Sequence, residues 1–506
     1  MSETFRDLPK KLSYGLLALL VVYVVVRSVF TAEAKPLWYD ELLTLAVTSL
    51  DSWSARLQAL RLPLDGQPPL FYWIEHFALK LNNNPELALR LPSIAAFPVV
   101  LICVYVYARK QGSEAAAILC ATALLLTDTF AVYAAEARPY SLVLACLAVA
   151  LVSYQRLPST GWTVLFGISL VLAESLHYLA VLSMIPFGLA DLVLTWKKRR
   201  IRWSAWAAMV AGAVPLLLQW NLLSANRAYY GPHFWAHFGF TNLPKTYGEF
   251  LGLQAPFGGG VATWAVLAIA TAYLWSRQGT PGQTPEDAAG GMLLLGFVLL
   301  PFFAYALVVL VMKSGLTPRY VLPTVLGMAL TVGFVLSRAR WKAIALSAAF
   351  LIATVGVQEL SFWRSIQREI HETRFSGNEL GRFIDSAGYR ELPIAIPNYS
   401  VYLPLFHTVE PDLASRLVFL AASPSSPNVD LPTDTVNKGI KLLAGYWPVR
   451  MSYYEEFTNA HNKFLLYGVF GEGVIDWFTV RLAQDGWSMR IVRTDNYRMV
   501  YLVERK

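Results

Sequence analysis

Long uninterrupted apolar runs, separated by polar connections, dominate the chain between residues 12 and 360. A helix needs about 20 mostly apolar residues to cross a bilayer. The runs are continuous and do not alternate with a period of two, which favours helices over the strands of a barrel. The pattern predicts a polytopic α-helical membrane protein with about 11 transmembrane helices, at residues 12–33, 88–108, 114–130, 138–155, 162–177, 178–196, 204–222, 261–276, 289–312, 320–337 and 343–360.

The polar connections differ in length and in charge. Basic residues occupy alternate connections: Lys10 and Lys11, Arg109 and Lys110, Arg156, Lys197 to Arg200 with Arg202, Arg277, and Arg338, Arg340 and Lys342. Connections rich in Lys and Arg stay in the cytoplasm. This alternation places the long loops 34–87 and 223–260, and everything after residue 360, on the extracytoplasmic face.

The N-terminal run has two interpretations: a signal peptide that is cleaved off, or a first transmembrane span that is retained. Ala32, Glu33 and Ala34 have the form of a signal-peptidase site, but the run before them is longer than the core of a signal peptide. We therefore expect residues 12–33 to remain as the first span.

Residues 361–506 follow a different pattern from the transmembrane domain 1–360. Short β-like runs at 392–396, 416–421 and 499–503 alternate with stretches containing Pro, Asn and Ser. They predict a small soluble α/β domain at the C-terminus. The alternation of basic connections makes this domain extracytoplasmic.

The composition is that expected of an inner or plasma membrane protein. It also indicates which kinds of molecule the protein binds. Hydrophobic residues make up 56% of the chain and charged residues 15%. The net charge of +8 comes from short basic runs beside apolar segments, so membrane lipids and not nucleic acid are the expected partners. The three cysteines lie inside apolar runs without a C-x-x-C spacing, which predicts neither a zinc site nor a disulfide framework. No glycine-rich phosphate loop precedes a helix, so we expect no nucleotide site in a soluble lobe.

Ionisable residues near the apolar runs point to the site, since such a group at mid-bilayer costs at least about 2.5–3.5 kcal/mol. Nine of them, from distant segments, fall at predicted outer ends of spans: Asp40, Glu41, Asp128, Glu136, Arg138, Glu174, His177, Lys313 and Arg319. We expect one polar cavity open to the outer face. Independent interfacial residues at helix ends are the alternative. Asp191, near an inner end, is expected to pair with Lys197 or Lys198.

Six short motifs occur along the chain at the predicted outer face. They are Trp38-Tyr39-Asp40-Glu41, Pro68-Pro69-Leu70-Phe71-Tyr72, Ala88-Leu89-Arg90-Leu91-Pro92, Glu136-Ala137-Arg138-Pro139-Tyr140, His177-Tyr178 and Pro318-Arg319-Tyr320-Val321-Leu322-Pro323. In this order they resemble the multi-span C-type glycosyltransferase superfamily. The branch most similar contains protein O-mannosyltransferases, aminoarabinose transferases and Rhizobium galacturonosyltransferases. Gln67 stands where many relatives have His, so no role of that His is carried over.

The resemblance implies a C-type glycosyltransferase fold and the transfer of a sugar from a polyprenyl-phosphate carrier. The acceptor would be a lipid, a glycan or a protein at the outer face. Asp40 would be the general base that takes the acceptor's proton, and Glu41 would orient the acceptor or share a cation.

Cationic residues would meet the leaving phosphate as its charge grows. Arg138 and Arg319 suit this role because a guanidinium binds phosphate with two parallel hydrogen bonds, and Lys313 would assist. Five residues would line the cavity: Glu136, His177, Tyr140, Tyr320 and Asp128. Packing or ion-pairing roles remain open for these side chains. The sequence identifies no cofactor, and a divalent cation is an open possibility.

Rival classes of protein share parts of this pattern. A transporter or lipid flippase also carries charge within the membrane, but the chain lacks the two similar halves common in transporters. A glycan ligase would share the architecture and move a preassembled chain. A receptor-like protein, with spans that only anchor a binding domain, would not need the ordered motifs.

Overall fold

The computed structural model describes residues 8–127, 129–230, 238–250, 284–336, 341–370, 376–422, 434–469, 473–495 and 498–505. The predicted span 261–276 and part of the predicted loop 223–260 lie outside these ranges. Within them the chain is mostly helical, with one sheet towards the C-terminus.

Helices account for every predicted apolar run within the described residues. Up to residue 370 they are α1 Lys10–Ala34, α2 Tyr39–Thr48, α3 Trp53–Arg61, α4 Pro69–Ala78, α5 Pro85–Gln111, α6 Glu114–Leu124, α7 Tyr140–Tyr154, α8 Thr160–Leu176, α9 Met184–Lys198, α10 Trp203–Leu218, α11 Trp220–Tyr230, α12 Asn242–Phe250, α13 Pro285–Val298, α14 Leu300–Ala304, α15 Thr324–Leu336 and α16 Trp341–Ile370. Short 3-10 helices occupy Tyr178–Ser183 and Pro318–Val321, and π-helical turns occupy Thr129–Tyr133 and Tyr305–Val311. The helical character predicted for these runs is confirmed.

Three of the helical segments described are long and apolar enough to cross a bilayer: Lys10–Ala34, Pro85–Gln111 and Tyr178–Lys198. Two further spans result if each of two bent pairs counts as one, namely Trp203–Leu218 with Trp220–Tyr230 and Pro285–Val298 with Leu300–Val311. The bends are 63° and 58°. The total of about eleven spans stays a prediction, as does the orientation of the chain.

Two compact units divide the chain. The first comprises residues 1–33, 67–227 and 236–364, and the second comprises residues 34–66, 228–235 and 365–506. The second unit therefore combines most of the first long loop with the C-terminal part of the chain.

The helices of the first unit pack closely because small residues lie at their contacts. A Cβ on Gly212 would lie 2.7 Å from the Cβ of Leu170, and one on Gly327 would lie 2.6 Å from the Cβ of Phe297. Membrane helices associate through such close backbone approach, since lipid supplies no hydrophobic drive between them. In this way α8 packs on α10, and α13 packs on α15.

Two partly buried ion pairs join segments of the first unit. Arg27 Nε donates to Glu359 Oε2 at 2.8 Å, and the guanidinium lies 3.5 Å from the ring centroid of Phe362. The second pair corrects an expectation: Asp191 accepts from Arg202 Nε at 2.6 Å and not from a lysine.

The geometry at the end of α9 explains why Asp191 pairs with Arg202 and not with a lysine. Lys197 is six positions after Asp191 and therefore on another face of the helix, while Lys198 is on the same face but about 10 Å along the axis. Lys198 pairs with Glu286 instead. Arg199 takes a left-handed conformation (φ 54°), after which Arg202 reaches Asp191.

A six-stranded sheet forms the core of the second unit. Its strands are β1 Ile394–Ile396, β2 Leu417–Ala421, β3 Met451–Tyr453, β4 Lys463–Val469, β5 Trp487–Asp495 and β6 Arg498–Arg505, in the order β3-β2-β1-β4-β6-β5. Neighbours among β1 to β4 are parallel, and β6 is antiparallel to both β4 and β5. The predicted strands at 392–396, 416–421 and 499–503 are confirmed.

Helices cover this sheet: α17 Ser376–Ser386, α18 Tyr399–Thr408, α19 Pro411–Ala414, α20 Asp434–Leu443, α21 Tyr454–Ala460 and α22 Gly473–Gln484. Parallel strands connected through helices give the α/β character that the sequence predicts. Phe464, Leu466 and Phe478 are among the buried side chains of its core. Helix α2, from the first long loop, packs on α18 within the same unit.

Candidate active site

His177 is the centre of a cluster in the first unit. Helix α8 ends at Leu176, and His177 has an extended backbone (φ −155°, ψ 122°). Its Nδ1 accepts a hydrogen bond from the backbone N–H of Leu179 at 3.2 Å, which caps the following 3-10 helix. The buried ring contacts Tyr140 and Tyr320, with centroid separations of 5.7 and 5.3 Å.

Two arginines bring their positive charges close to this imidazole. They are Arg138, just before α7, and Arg319, in the 3-10 helix Pro318–Val321. Arg138 is only 4% exposed, whereas Arg319 is partly exposed. We define the arginine cluster as Arg138, Tyr140, His177, Arg319 and Tyr320. The structure thus brings together five of the predicted site residues, from three separate segments of the sequence.

The backbone beside Arg138 is fixed by a serine of α5. Ser93 Oγ lies 2.7 Å from the carbonyl oxygen of Glu136 and 3.2 Å from that of Arg138. The backbone N–H of Arg138 also donates to the carbonyl oxygen of Glu136 at 2.8 Å. This tight turn, with Pro139 next in the chain, places Glu136 and Arg138 at the start of α7, where both side chains are buried.

The arginine cluster has the chemistry of an anion site. Guanidinium groups are always charged and match the geometry of phosphate. Two guanidinium groups that face one phosphate can each donate to its oxygen atoms. Burial lowers the local dielectric constant, so each such contact is stronger than it would be in water.

The two adjacent carboxylates of the second unit differ in their surroundings. Glu41 is fully buried, and its Oε2 accepts from the backbone N–H of Trp38 at 3.2 Å, which caps α2. Asp40 is half-buried in the same first turn, where a carboxylate also stabilises the helix dipole. Asp40 is therefore the more accessible of the two. Their predicted catalytic roles stay predictions.

Tyr39, which directly precedes Asp40, lies near other tyrosines of the second unit. Desolvation raises the pKa of the Tyr39 phenol well above its usual value, and the nearby groups Asp40, Tyr399, Tyr229 and Asp65 raise it further. The ring of Tyr39 meets that of Tyr399 at 4.7 Å, edge to face.

Of the remaining predicted residues, Lys313 is exposed and has a left-handed backbone (φ 54°) just after a π-helical turn. Asp128 lies outside the described residues. Glu174 is buried at the end of α8, beside the backbone N–H of Val181 and the phenol of Tyr178.

Two buried acids lie on either side of the Pro-Pro motif and were not among the predicted site residues. Glu75 is fully buried on α4, which packs on α5 and α8, and its signal in the sequence is a single acid in an otherwise apolar helix. Asp65 is buried just before the Pro-Pro motif and accepts from the backbone N–H of Gly66 at 2.8 Å.

The described residues form no ready-made metal site. Among the described residues, no group of three or more His, Cys, Asp and Glu side chains is placed to hold a metal ion.

Comparison with known proteins agrees with the motifs. Residues 66–221 match the family model of dolichyl-phosphate-mannose-protein mannosyltransferases. This stretch runs from the Pro-Pro motif to beyond His177. Among the curated proteins, none matches the sequence.

Two crystal structures of ArnT from Cupriavidus metallidurans share the fold. The one bound to undecaprenyl phosphate aligns with a TM-score of 0.54 and 16% identity, over 96% of this chain and 98% of its own. The apo structure aligns with a TM-score of 0.57 and 15% identity, over 97% and 98%. The resemblance predicted from the motifs is confirmed.

Proposed function

We propose that this chain is a membrane glycosyltransferase of the C type, which transfers a sugar from a polyprenyl-phosphate carrier. The acceptor is a lipid, a glycan or a protein on the extracytoplasmic side. The family matched by residues 66–221 is named for dolichyl-phosphate-mannose, which is a sugar on a polyprenyl-type phosphate. One ArnT structure is bound to undecaprenyl phosphate.

The arginine cluster is the observation that carries this proposal. Transfer from a phosphate carrier leaves a phosphate monoester, whose negative charge grows as the glycosidic bond breaks. Arg138 and Arg319, both close to His177, supply two fixed cations for that charge. Because the cations are in place before the reaction, they stabilise the transition state without reorganisation.

The reaction is a single displacement at the anomeric carbon. An acceptor hydroxyl oxygen forms the new bond to that carbon while the bond to the phosphate oxygen breaks. The bonding electron pair leaves with the polyprenyl phosphate. Asp40 takes the proton of the acceptor hydroxyl, which is the work of a general base.

Localisation follows from the same proposal. The long apolar helices support a location of the first unit in the cell membrane. The positions of the basic connections support an extracytoplasmic location for the start of α2 and for the C-terminal domain. Polyprenyl phosphate is a membrane lipid, so donor and enzyme share the bilayer.

The test uses the full-length protein in vesicles with radiolabelled undecaprenyl-phosphate mannose or aminoarabinose as donor. We expect the wild type to transfer label and Asp40→Asn to lose about 10²–10⁴-fold in rate, the usual contribution of a general base. Asp51→Asn, an exposed carboxylate in the same loop, is the matched control and should keep full activity.

Equal transfer by wild type and Asp40→Asn would remove Asp40 from catalysis. The absence of transfer from every donor, together with movement of labelled lipid across the vesicle membrane, would favour a flippase instead.

A further inference from the structure

The topology of the C-terminal sheet marks one edge as a binding edge. Strands β1, β2 and β3 proceed to one side, and β4 lies on the other side of β1. In open α/β sheets, ligands bind outside the carboxyl ends of the strands at the point where the order reverses. At β1 that end is followed by residues 397–400.

The turn after β1 presents a tyrosine outward. Asn398 is buried, and its Oδ1 accepts from the backbone N–H of Ser400 at 2.8 Å and from Ser400 Oγ at 2.7 Å. This local bonding fixes the start of α18. Tyr399 is left 36% exposed at the first position of that helix.

The same tyrosine meets the loop that carries the proposed base. The rings of Tyr399 and Tyr39 are 4.7 Å apart at 68°, an edge-to-face contact. Tyr39 directly precedes Asp40. Helix α20 also approaches it, because a Cβ on Gly439 would lie 3.4 Å from the Tyr39 hydroxyl.

A third segment of the second unit, the end of α11, contacts the first long loop. Tyr230 Oη donates to the carbonyl oxygen of Pro63 at 3.0 Å, which ties the end of α11 to the first long loop. Its neighbour Tyr229 and the buried Asp65 both lie within electrostatic reach of Tyr39. Three tyrosines and two carboxylates, from four distant stretches of sequence, thus gather in one place.

This set of side chains suits a sugar ring. Tyrosine offers a flat apolar face with a polar tip, and an ionised carboxylate accepts hydrogen bonds from hydroxyl groups. A ring with hydroxyl groups on its rim and C–H groups on its faces uses both. A few polar groups among aromatic side chains are typical of small-molecule sites.

We infer that Tyr39, Tyr229 and Tyr399, with Asp40 and Asp65, form an acceptor subsite for a sugar ring, completed by the C-terminal domain through Tyr399. This inference rests on the proposed function, since it assigns Asp40 to the acceptor. Tyr399 is a specificity-determining residue, and the acceptor is a glycan or a glycolipid rather than a peptide.

The experiment gives the full-length protein labelled undecaprenyl-phosphate mannose or aminoarabinose, with three acceptor probes in parallel: lipid A, mannotriose and a serine-rich peptide. We expect transfer to a sugar-bearing probe and none to the peptide. Tyr399→Ala should raise the KM for that acceptor about tenfold, the loss of about one aromatic contact. The KM for the donor should stay within about twofold, and Tyr399→Phe should restore the acceptor KM.

Two further variants separate recognition from folding. Gly439→Leu replaces glycine by a better helix former but crowds the Tyr39 hydroxyl, so it should also raise the acceptor KM. Tyr446→Ala is the matched control, because Tyr446 belongs to the same domain and its ring makes no aromatic contact within the described residues.

Other results would overturn either the acceptor subsite or the proposed function. Transfer to the peptide alone would overturn the subsite, as would wild-type transfer with an acceptor KM unchanged in Tyr399→Ala. Parallel rises in donor and acceptor KM with a lower unfolding temperature would show that Tyr399 only supports the fold. Absence of transfer to all probes by the wild type would instead refute the proposed function itself.

Discussion

Replacement of the two arginines near His177 tests the proposed phosphate site most sharply. At about 4 Å, a cation and an anion attract by about 4 kcal/mol at an effective dielectric constant of 20, but by about 1 kcal/mol in water. Arg138 is 4% exposed and Arg319 is partly exposed. The larger effect is therefore expected at Arg138.

The expected magnitudes follow from that difference. Arg138→Ala should lower kcat/KM for the donor by about 10²–10³-fold, the usual loss of one preorganised donor, and Arg319→Ala by about tenfold. Arg138→Lys keeps the charge but loses the second parallel hydrogen bond, so it should recover only part of the activity. In the double variant Arg138→Ala with Arg319→Ala, the losses should be less than additive, since both cations serve one phosphate.

The assay is transfer from labelled undecaprenyl-phosphate sugar at several donor concentrations. Arg156→Ala is the matched control, because this arginine lies in a connection predicted to be cytoplasmic. Unfolding temperatures report whether each variant is intact. Losses below about twofold at both Arg138 and Arg319, in folded protein, would refute the role of the cluster.

Three further predictions concern stability and are measured as shifts in unfolding temperature of the purified protein. Glu41→Ala removes the side-chain cap of α2 and should cost about 1 kcal/mol; an unchanged midpoint would contradict the capping role. Arg27→Met leaves the half-buried carboxylate of Glu359 without its cation and should cost about 1.5–3 kcal/mol, with recovery when Glu359 is also replaced by Met; a loss that persists in the double variant would contradict this reasoning. Gly327→Ala should cost about 1–3 kcal/mol, because its Cβ would lie 2.6 Å from another side-chain atom, whereas Gly356→Ala, with open space around it, should be tolerated.

Most of the helical part follows from the sequence because hydrocarbon and aqueous surroundings impose a simple pattern. A run of about 20 apolar residues has few other folds available in a membrane. The bends at residues 219 and 299 are not visible in that pattern. Each divides a predicted run into two helices at 63° or 58°.

The C-terminal sheet was predicted only in part. Strands β1 and β2 are continuous apolar runs and are buried throughout. Strand β5 contains Arg490 and Arg493 and has an irregular register between Ile491 and Arg493. Charge and a bulge both weaken the period-two pattern by which strands are recognised.

In the candidate site, residue types were predictable and their separate tasks were not. Adjacent carboxylates such as Asp40 and Glu41 are equivalent in a sequence, but a helix turns them to different sides, and Glu41 reaches back to cap its own helix. The contact of Tyr399 with Tyr39 joins segments 360 positions apart. Only tertiary packing determines such a contact.

In the proposed function, Arg138 and Arg319 together hold the phosphate of the sugar donor. An experimental structure of the full-length protein with undecaprenyl phosphate bound would locate that phosphate. We predict phosphate oxygens within about 3.2 Å of nitrogen atoms of both guanidinium groups. A well-defined phosphate bound elsewhere, with neither arginine in contact, would contradict this assignment.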